Sequence, residues 1–539
     1  MGLSAREPAP PSPKLVVLVV FDQLRADYLV RWRDLFDDGG FRRLEKEGAW
    51  FQNCRYPYAF TYTGPGHASI ITGANPDRHG VIGDYWLDRN TGKDIDCAVT
   101  GRYEAVPIGQ AAGNGGSSPD ALRVESVPDV LKRTRGADSR VVSLSLKDRS
   151  AVLLSGKKPD TCYWLDLWSG QFMTSTYYRN SLHPWLADFN SAKPADRWFG
   201  RAWTKLKPEL DYARHSGPDD FAAEDRAWFQ GRTFPHPTTG GLEKPGRDYY
   251  GAVGCSPYGN ELLLSLVQRA IDAERLGRHA APDFLAVSFS ANDDVGHAWG
   301  PDSQEVLDMT LRSDRIVRAL LETLDQTLGR DGYLLVLTAD HGVCPLPEVT
   351  RTHGKDAQRI SPSLFTKRAE QFLCNKFGKP EGTGRWLLGR ADSWLYLNSK
   401  HVAASGVPTS SVEEALLEWL RRQPEVLAAY SRTEITSSAR EDPMLKRVRK
   451  SFDAERSGDF AVVFKPLYLL TSGLRGTLHG SPHEYDIHIP FLVYGAAIAP
   501  GERRDEVTPL VAAAILSKGL GIETPANCEA KVPDGLFRP

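Results

Sequence analysis

Cysteine is scarce in this sequence: seven in 539 residues, at positions 54, 97, 162, 255, 344, 374 and 528. No two form a CxxC pair, which argues against a thiolate metal cluster, and the odd count leaves at least one thiol unpaired in a monomer. One to three disulfides are compatible with the count, and spacing alone does not choose among them. Long apolar runs are also lacking. The longest clean run near the N-terminus, Leu15 to Phe21, falls far short of the ~20 residues that span a bilayer. The stretch before it, Ser4 to Pro13, is rich in proline and has no apolar core, so it reads as a flexible lead-in and not as a signal peptide. There is no excess of charge of either sign: the formal net charge is −2, so neither nucleic acid nor an anionic membrane is expected as a partner. Internal repeats and low-complexity tracts are missing too.

What is present is a globular composition, 41% hydrophobic and 25% charged. The length suggests one large domain with insertions, or two to three domains. Leu15-Val-Val-Leu-Val-Val-Phe21 is a β-branched run of the kind buried on both faces of a parallel sheet, and it ends at Asp22. The device recurs: Phe284 to Phe289 leads to Asp293, and Tyr333 to Leu337 leads to Asp340-His341. Helical stretches intervene, at Gly259 to Arg275 and Ser303 to Leu328. Strands alternating with helices predict a doubly wound α/β sheet with helices on both faces, whose ligands bind beyond the carboxyl ends of the strands. The core is expected at 14–150, 251–350 and 471–539. Residues 151–250, rich in Trp, Tyr, Pro and Gly, are expected as a cap insertion, and 351–470 as a second insertion.

The organising stretch is Thr61-Tyr-Thr-Gly-Pro-Gly-His67, which reads as a loop turning into a helix with Thr63 as N-cap and Gly73 as stop. A hydroxyl at the positive end of a helix is a candidate nucleophile toward a phosphoryl group. Potential metal ligands gather at the strand ends: Asp22, Asp293 and His297 in Asp-Asp-Val-Gly-His, Asp340 and His341 in Asp-His-Gly, and His488 in Asp-Ile-His-Ile-Pro. A lone Asp after a strand is usually a turn residue; the recurrence is what argues for a site. Carboxylates with imidazoles suit Zn²⁺ or a similar ion, and five or six ligands fit two ions ~4 Å apart. Lys147 and Arg149 follow the buried run Arg140 to Ser143. In an extended segment they share one face and suit the non-bridging oxygens of a dianionic phosphoryl group.

Taken together and in this order, these residues resemble the alkaline phosphatase superfamily. The likeness is to its type I phosphodiesterase/nucleotide pyrophosphatase branch, and most closely to the phosphate-irrepressible periplasmic alkaline phosphatases. The resemblance implies an α/β sandwich with a cap, two Zn²⁺ ions, and phosphate monoester hydrolysis through a phospho-threonine on Thr63. It implies Asp293, His297 and His488 on one ion, Asp22, Thr63, Asp340 and His341 on the other, and Lys147 with Arg149 as the pair that marks monoesterases. It also implies a periplasmic or secreted enzyme, here expected to be a monomer acting on small phosphate monoesters. One position departs. After His79-Gly-Val-Ile-Gly83 the family has a phosphate-binding Asn, and here stands Asp84. A carboxylate repels a phosphate dianion unless it is protonated, bridged by a cation such as Mg²⁺, or turned away. The alternatives are a phosphodiesterase or nucleotide pyrophosphatase on the same site, and a zinc-stabilised binding protein without turnover. An arylsulfatase is disfavoured, because its Cys/Ser-x-Pro-x-Arg run is matched here by Thr63-Gly-Pro-Gly-His67.

Overall fold

The computed structural model describes residues 12–107, 116–382, 384–437 and 442–539; residues 1–11 of the expected lead-in lie outside them. At its centre is a ten-stranded sheet. Its strands are β1 (Leu15–Phe21), β2 (Ala49–Arg55), β3 (Ala105–Val106), β4 (Val141–Ser145), β5 (Thr161–Asp166), β6 (Gln171–Ser175), β7 (Asp283–Phe289), β8 (Tyr333–Ala339), β9 (His488–Gly495) and β10 (Gly501–Val507). They lie in the order β10-β2-β9-β8-β1-β7-β4-β5-β6-β3. The five central strands β8-β1-β7-β4-β5 are parallel. The flanks are mixed: β9 runs antiparallel to β8 and β2, while β10 runs parallel to β2. At the other flank β6 runs antiparallel to β5 and β3.

The apolar runs explain the centre. Every residue of β1, β7 and β8 is buried, as a strand covered on both faces must be. The helices that matter here are α1 (Thr63–Thr72), α2 (Asp148–Ser155), α3 (Pro257–Ala273), α4 (Ala291–Trp299), α5 (Gln304–Leu328) and α6 (Val511–Leu520). They cover both faces of the sheet in an α/β architecture. Helix α1 is buried along its whole length, and ends where Gly73 takes a left-handed conformation (φ 69°). Its N-cap is Tyr62 rather than Thr63. The Thr63 hydroxyl makes no cap bond because it is turned toward His341.

Two further departures from expectation concern segment edges. Lys147 and Arg149 do not lie on an extended segment: Lys147 caps α2 and Arg149 is in its first turn. Strands β5 and β6 fall in the range expected as a cap, yet they extend the central sheet; a two-strand hairpin alone is marginal and gains stability by joining a sheet. Residues 358–470 carry a separate apolar core. It is built on a four-stranded antiparallel sheet (387–391, 394–397, 460–464, 426–431) with helices Pro362–Phe377 and Thr409–Arg421. The first and last strands of this body, Gln358–Ile360 and Tyr468–Leu470, pair with each other at its base. All seven cysteines are unbonded, and among the described residues no helix is long and apolar enough to cross a membrane.

Candidate active site and metal centre

The sheet register builds the site. Phe21 of β1 lies beside Phe289 of β7 on one side and Ala339 of β8 on the other. The three strands therefore finish level, and the segments leaving their carboxyl ends meet: Asp22, the N-terminus of α4 with Asp293, and Asp340-His341. Helix α1 docks against the same edge. A Cβ on Gly66 would lie 2.4 Å from the Asp340 carbonyl oxygen, so only glycine permits this approach.

Two ligand groups result. In the first, carboxylate oxygens of Asp22 and Asp340 and an imidazole nitrogen of His341 lie within 4.8 Å of one another. His341 Nε2 is 3.4 Å from Asp22, 3.3 Å from Asp340 and 3.3 Å from Thr63 Oγ1, so the hydroxyl faces this group. In the second, Asp293 meets His341 and His479, and His297 Nε2 is 3.0 Å from Asp293 Oδ1. Each of the three imidazoles points Nδ1 at a backbone carbonyl: His297 at Thr477 (2.7 Å), His341 at Gly342 (2.9 Å) and His479 at Thr61 (2.8 Å). With the Nδ1 proton donated there, each Nε2 is left to face the carboxylates, the usual arrangement behind a metal-ligating imidazole.

His488 is not part of this arrangement and is corrected. It begins β9 opposite Arg55, and its Nε2 is committed to the Gln52 carbonyl at 2.8 Å, with Glu484 4.0 Å from Nδ1. His479 stands with Asp293 instead. Sequence reasoning missed it because it lies in a polar loop and not at the end of a buried strand, and the adjacent Gly480 was the one local hint of a sharp turn. Gln23 was missed as well. It takes a left-handed conformation (φ 65°) just past β1. Its N–H donates to Asp340 Oδ1 (3.0 Å) and its side-chain amide to Asp293 Oδ1 (2.6 Å), tying one carboxylate of each group together.

The residues present fit metal ions. Asp22 and Asp340 are fully buried, yet both oxygens of Asp22 and Oδ2 of Asp340 have no hydrogen-bond partner. Burial without partners is costly for a carboxylate. Burial pushes the Asp340 carboxyl up to about 8 and raises that of Asp22, to which neighbouring Asp340 adds. Burial keeps His479 neutral, lowering it to about 4, and lowers His341 likewise. Burial acts against the charge on Asp293 too, but His297 and Lys147 outweigh it and hold this carboxyl well below the usual range. Asp293 in turn overcomes burial at His297 and pushes it up to about 9. The neutral imidazoles of His341 and His479, beside the unpartnered carboxylate oxygens of Asp22 and Asp340, suit cations.

Lys147 supplies part of that charge. Its ammonium contacts Asp293 and lies 3.0 Å from Asp22 Oδ2, as an ion pair without hydrogen-bond geometry. Arg149 turns the other way: Nη1 meets Asp84 Oδ2 at 2.7 Å, and Nη2 is 3.7 Å from Asp96. The second oxygen of Asp84 accepts the N–H of Gly64 in the first turn of α1 (2.7 Å). Asp84 is therefore neither turned away nor grouped with metal ligands. A guanidinium holds the place considered for Mg²⁺, and the two ligand groups found among the described residues do not include Asp84. Thr63, Asp84, Lys147, Arg149, Asp293 and His479 open together on a cleft of about 480 Å³.

Residues 16–488 match the family described as type I phosphodiesterase/nucleotide pyrophosphatase. The chain belongs to that family. It is 32% identical over 531 residues to the alkaline phosphatase PafA of Elizabethkingia meningoseptica (97% of this chain, 94% of the relative). It is 31% identical over 531 residues to the alkaline phosphatase PhoV of Synechococcus elongatus (98% and 93%). The crystal structure of PafA superimposes with a TM-score of 0.90 at 32% identity, covering 98% of this chain and 100% of PafA. A second PafA structure carries a Thr→Ser change together with Asn→Ala, Lys→Ala and Arg→Ala changes. This family member is a phosphoester hydrolase.

Proposed function

We propose that this chain is a two-zinc phosphomonoesterase that works through a phospho-threonine on Thr63. The carrying observation is the convergence of the Thr63 hydroxyl with Asp22, Asp340 and His341, beside Asp293, His297 and His479. The relatives named alkaline phosphatases support the monoester reading. So does the correspondence of the four residue positions altered in the PafA variant with Thr63, Asp84, Lys147 and Arg149, in the same order and with the same spacing within each pair.

Two Zn²⁺ ions held by the two ligand groups would supply the Lewis acidity that lowers a hydroxyl's pKa and offsets charge on a departing oxygen. The chain's own residues do the rest. Thr63 gives up its hydroxyl proton to solvent as Oγ1 attacks phosphorus in line, the bond from phosphorus to the leaving oxygen breaks and that oxygen takes up a proton from solvent, and the phosphoryl group rests on Thr63. Water then attacks phosphorus from the opposite side, releasing phosphate and restoring the hydroxyl. The N-terminal end of α1 and the cations Lys147 and Arg149 face the phosphoryl oxygens through these steps. Gln23 and the three carbonyl-tethered imidazoles hold the ligands in register.

The test is a panel of aryl phosphate, bis-aryl phosphate and aryl sulfate on zinc-loaded protein. The monoester should be cleaved best, metal analysis should give about two zinc per chain, and Thr63→Ala should abolish turnover while the melting temperature holds. Cleavage of the diester alone, or near-parental activity of Thr63→Ala, would overturn the reading.

A further inference from the structure

Asp84 stands at the wall shared by the Thr63 cleft and a second cavity of about 330 Å³, lined among others by Tyr62, Tyr85, Arg390 and Asp392. Its two carboxylate oxygens hold the Arg149 guanidinium and the Gly64 N–H, each at 2.7 Å. A guanidinium and a first-turn helix N–H are the partners that two oxygens of a phosphoryl group would take. The chain thus carries a resident anion on those donors. The other cation on this wall does not compensate, since the Lys147 ammonium is shared between Asp22 and Asp293. Arg247, which also lines the cleft, lies over the Trp168 ring at 4.9 Å. The acids facing Arg149 are Asp84, Asp96 and Asp148, and the first of these is the strongest influence on its charge.

We propose that Asp84 is a specificity-determining residue that holds down hydrolysis of dianionic phosphate monoesters relative to monoanionic diesters. It acts through Arg149, whose charge it takes up, and through direct repulsion. The repulsion grows with substrate charge: a monoester brings a second negative charge next to the carboxylate, and a diester does not. The inference rests on the phosphoesterase reading above, and it assigns this site a narrower monoester preference than the Lys147–Arg149 pair alone would produce. Asparagine at 84 would keep an oxygen for the Gly64 N–H. It would also release Arg149 and present an N–H₂ donor to the phosphoryl group.

The experiment compares the parent with Asp84→Asn and Asp84→Ser, both zinc-loaded, on an aryl phosphate and a methyl aryl phosphate. Affinity for inorganic phosphate is measured separately by calorimetry. Asp84→Asn should raise kcat/KM for the monoester ~10-fold or more and change the diester less than ~3-fold, and phosphate should bind ~10-fold tighter. Asp84→Ser, neutral but shorter, should move the monoester-to-diester ratio in the same direction. Equal changes on both esters, or unchanged phosphate affinity in both variants, would overturn the proposal. If the parent cleaves neither ester, the phosphoesterase reading falls, and the phosphate affinities alone decide the role of Asp84.

Discussion

A histidine becomes a ligand by how its other nitrogen is used, and two histidines nine residues apart make the point here. His479 points Nδ1 at Thr61 and leaves Nε2 for Asp293; His488 points Nε2 at Gln52 and has nothing to offer the site. His479→Ala should lower zinc content from two to about one per chain and cut kcat/KM ~100-fold or more, the upper end of losses measured even for outer-shell partners. His488→Ala should leave both within about twofold, since it removes only one partly exposed contact to a carbonyl. Elemental analysis and an aryl phosphate assay read both, and the reverse pattern would return His488 to the metal. At this scale the sequence was informative wherever a ligand followed an apolar run. Asp22, Asp293, Asp340 and His341 were legible because burial on both faces marks the strands that deliver them. His479 was not, because its position depends on a loop meeting α1 from over four hundred residues away. Asp84 was legible as an oddity, but its ion pair with Arg149 depends on α2 starting at Asp148, where the alternation of Lys147 and Arg149 reads as an extended segment.

The elements are held together by close approaches that only small residues allow. Gly296 lies in α4 between Asp293 and His297, and a Cβ there would sit 1.6 Å from Gln23 Oε1. Gly296→Ala should therefore expel the Gln23 side-chain amide from its bond to Asp293 and weaken zinc binding ~10- to 100-fold, as loss of an orienting partner does. In a Gln23→Ala background the same change should cost less than about threefold. A full loss in that background would show that Gly296 serves helix packing instead. The helices α3 and α5 follow from periodicity with Ser at their starts, and β1, β4, β7 and β8 from apolar runs. The antiparallel pairings of the flank do not: β9 is as consistent with parallel pairing, and only tertiary context sets its direction against β8 and β2.

Across the molecule, stability against pH is set in part by acids that do not line the cleft. Glu224 is buried, and burial, with Glu305 nearby, pushes its carboxyl up to about 9. In the unfolded chain it ionises near 4.5, so the folded state binds the extra proton between these values. Its contribution is fully present below the unfolded pKa and is lost as pH rises toward 9. Glu224→Gln, which keeps an acceptor for the Phe221 N–H, should match the parent melting temperature near pH 5 and exceed it by ~2 °C at pH 8.5. A gain of equal size at both values would point to packing rather than ionisation. The body at 358–470 was legible as a change of texture in the sequence, whereas its separate core depends on the strand at 460–464 returning between those at 394–397 and 426–431.

The place of β2 in the sheet bears on how the chain is made. This strand, residues 49–55, has only β9 and β10 as sheet neighbours, and those are residues 488–507. A ribosome releases β2 early, and over four hundred further residues must emerge before either edge of it can pair. The same wait applies to His479 of 539 residues. For most of synthesis the nascent chain carries an unpaired strand and a half-built set of carboxylates, so loading of the centre belongs to the finished polypeptide, and shielding of that strand belongs to whatever holds the chain until then.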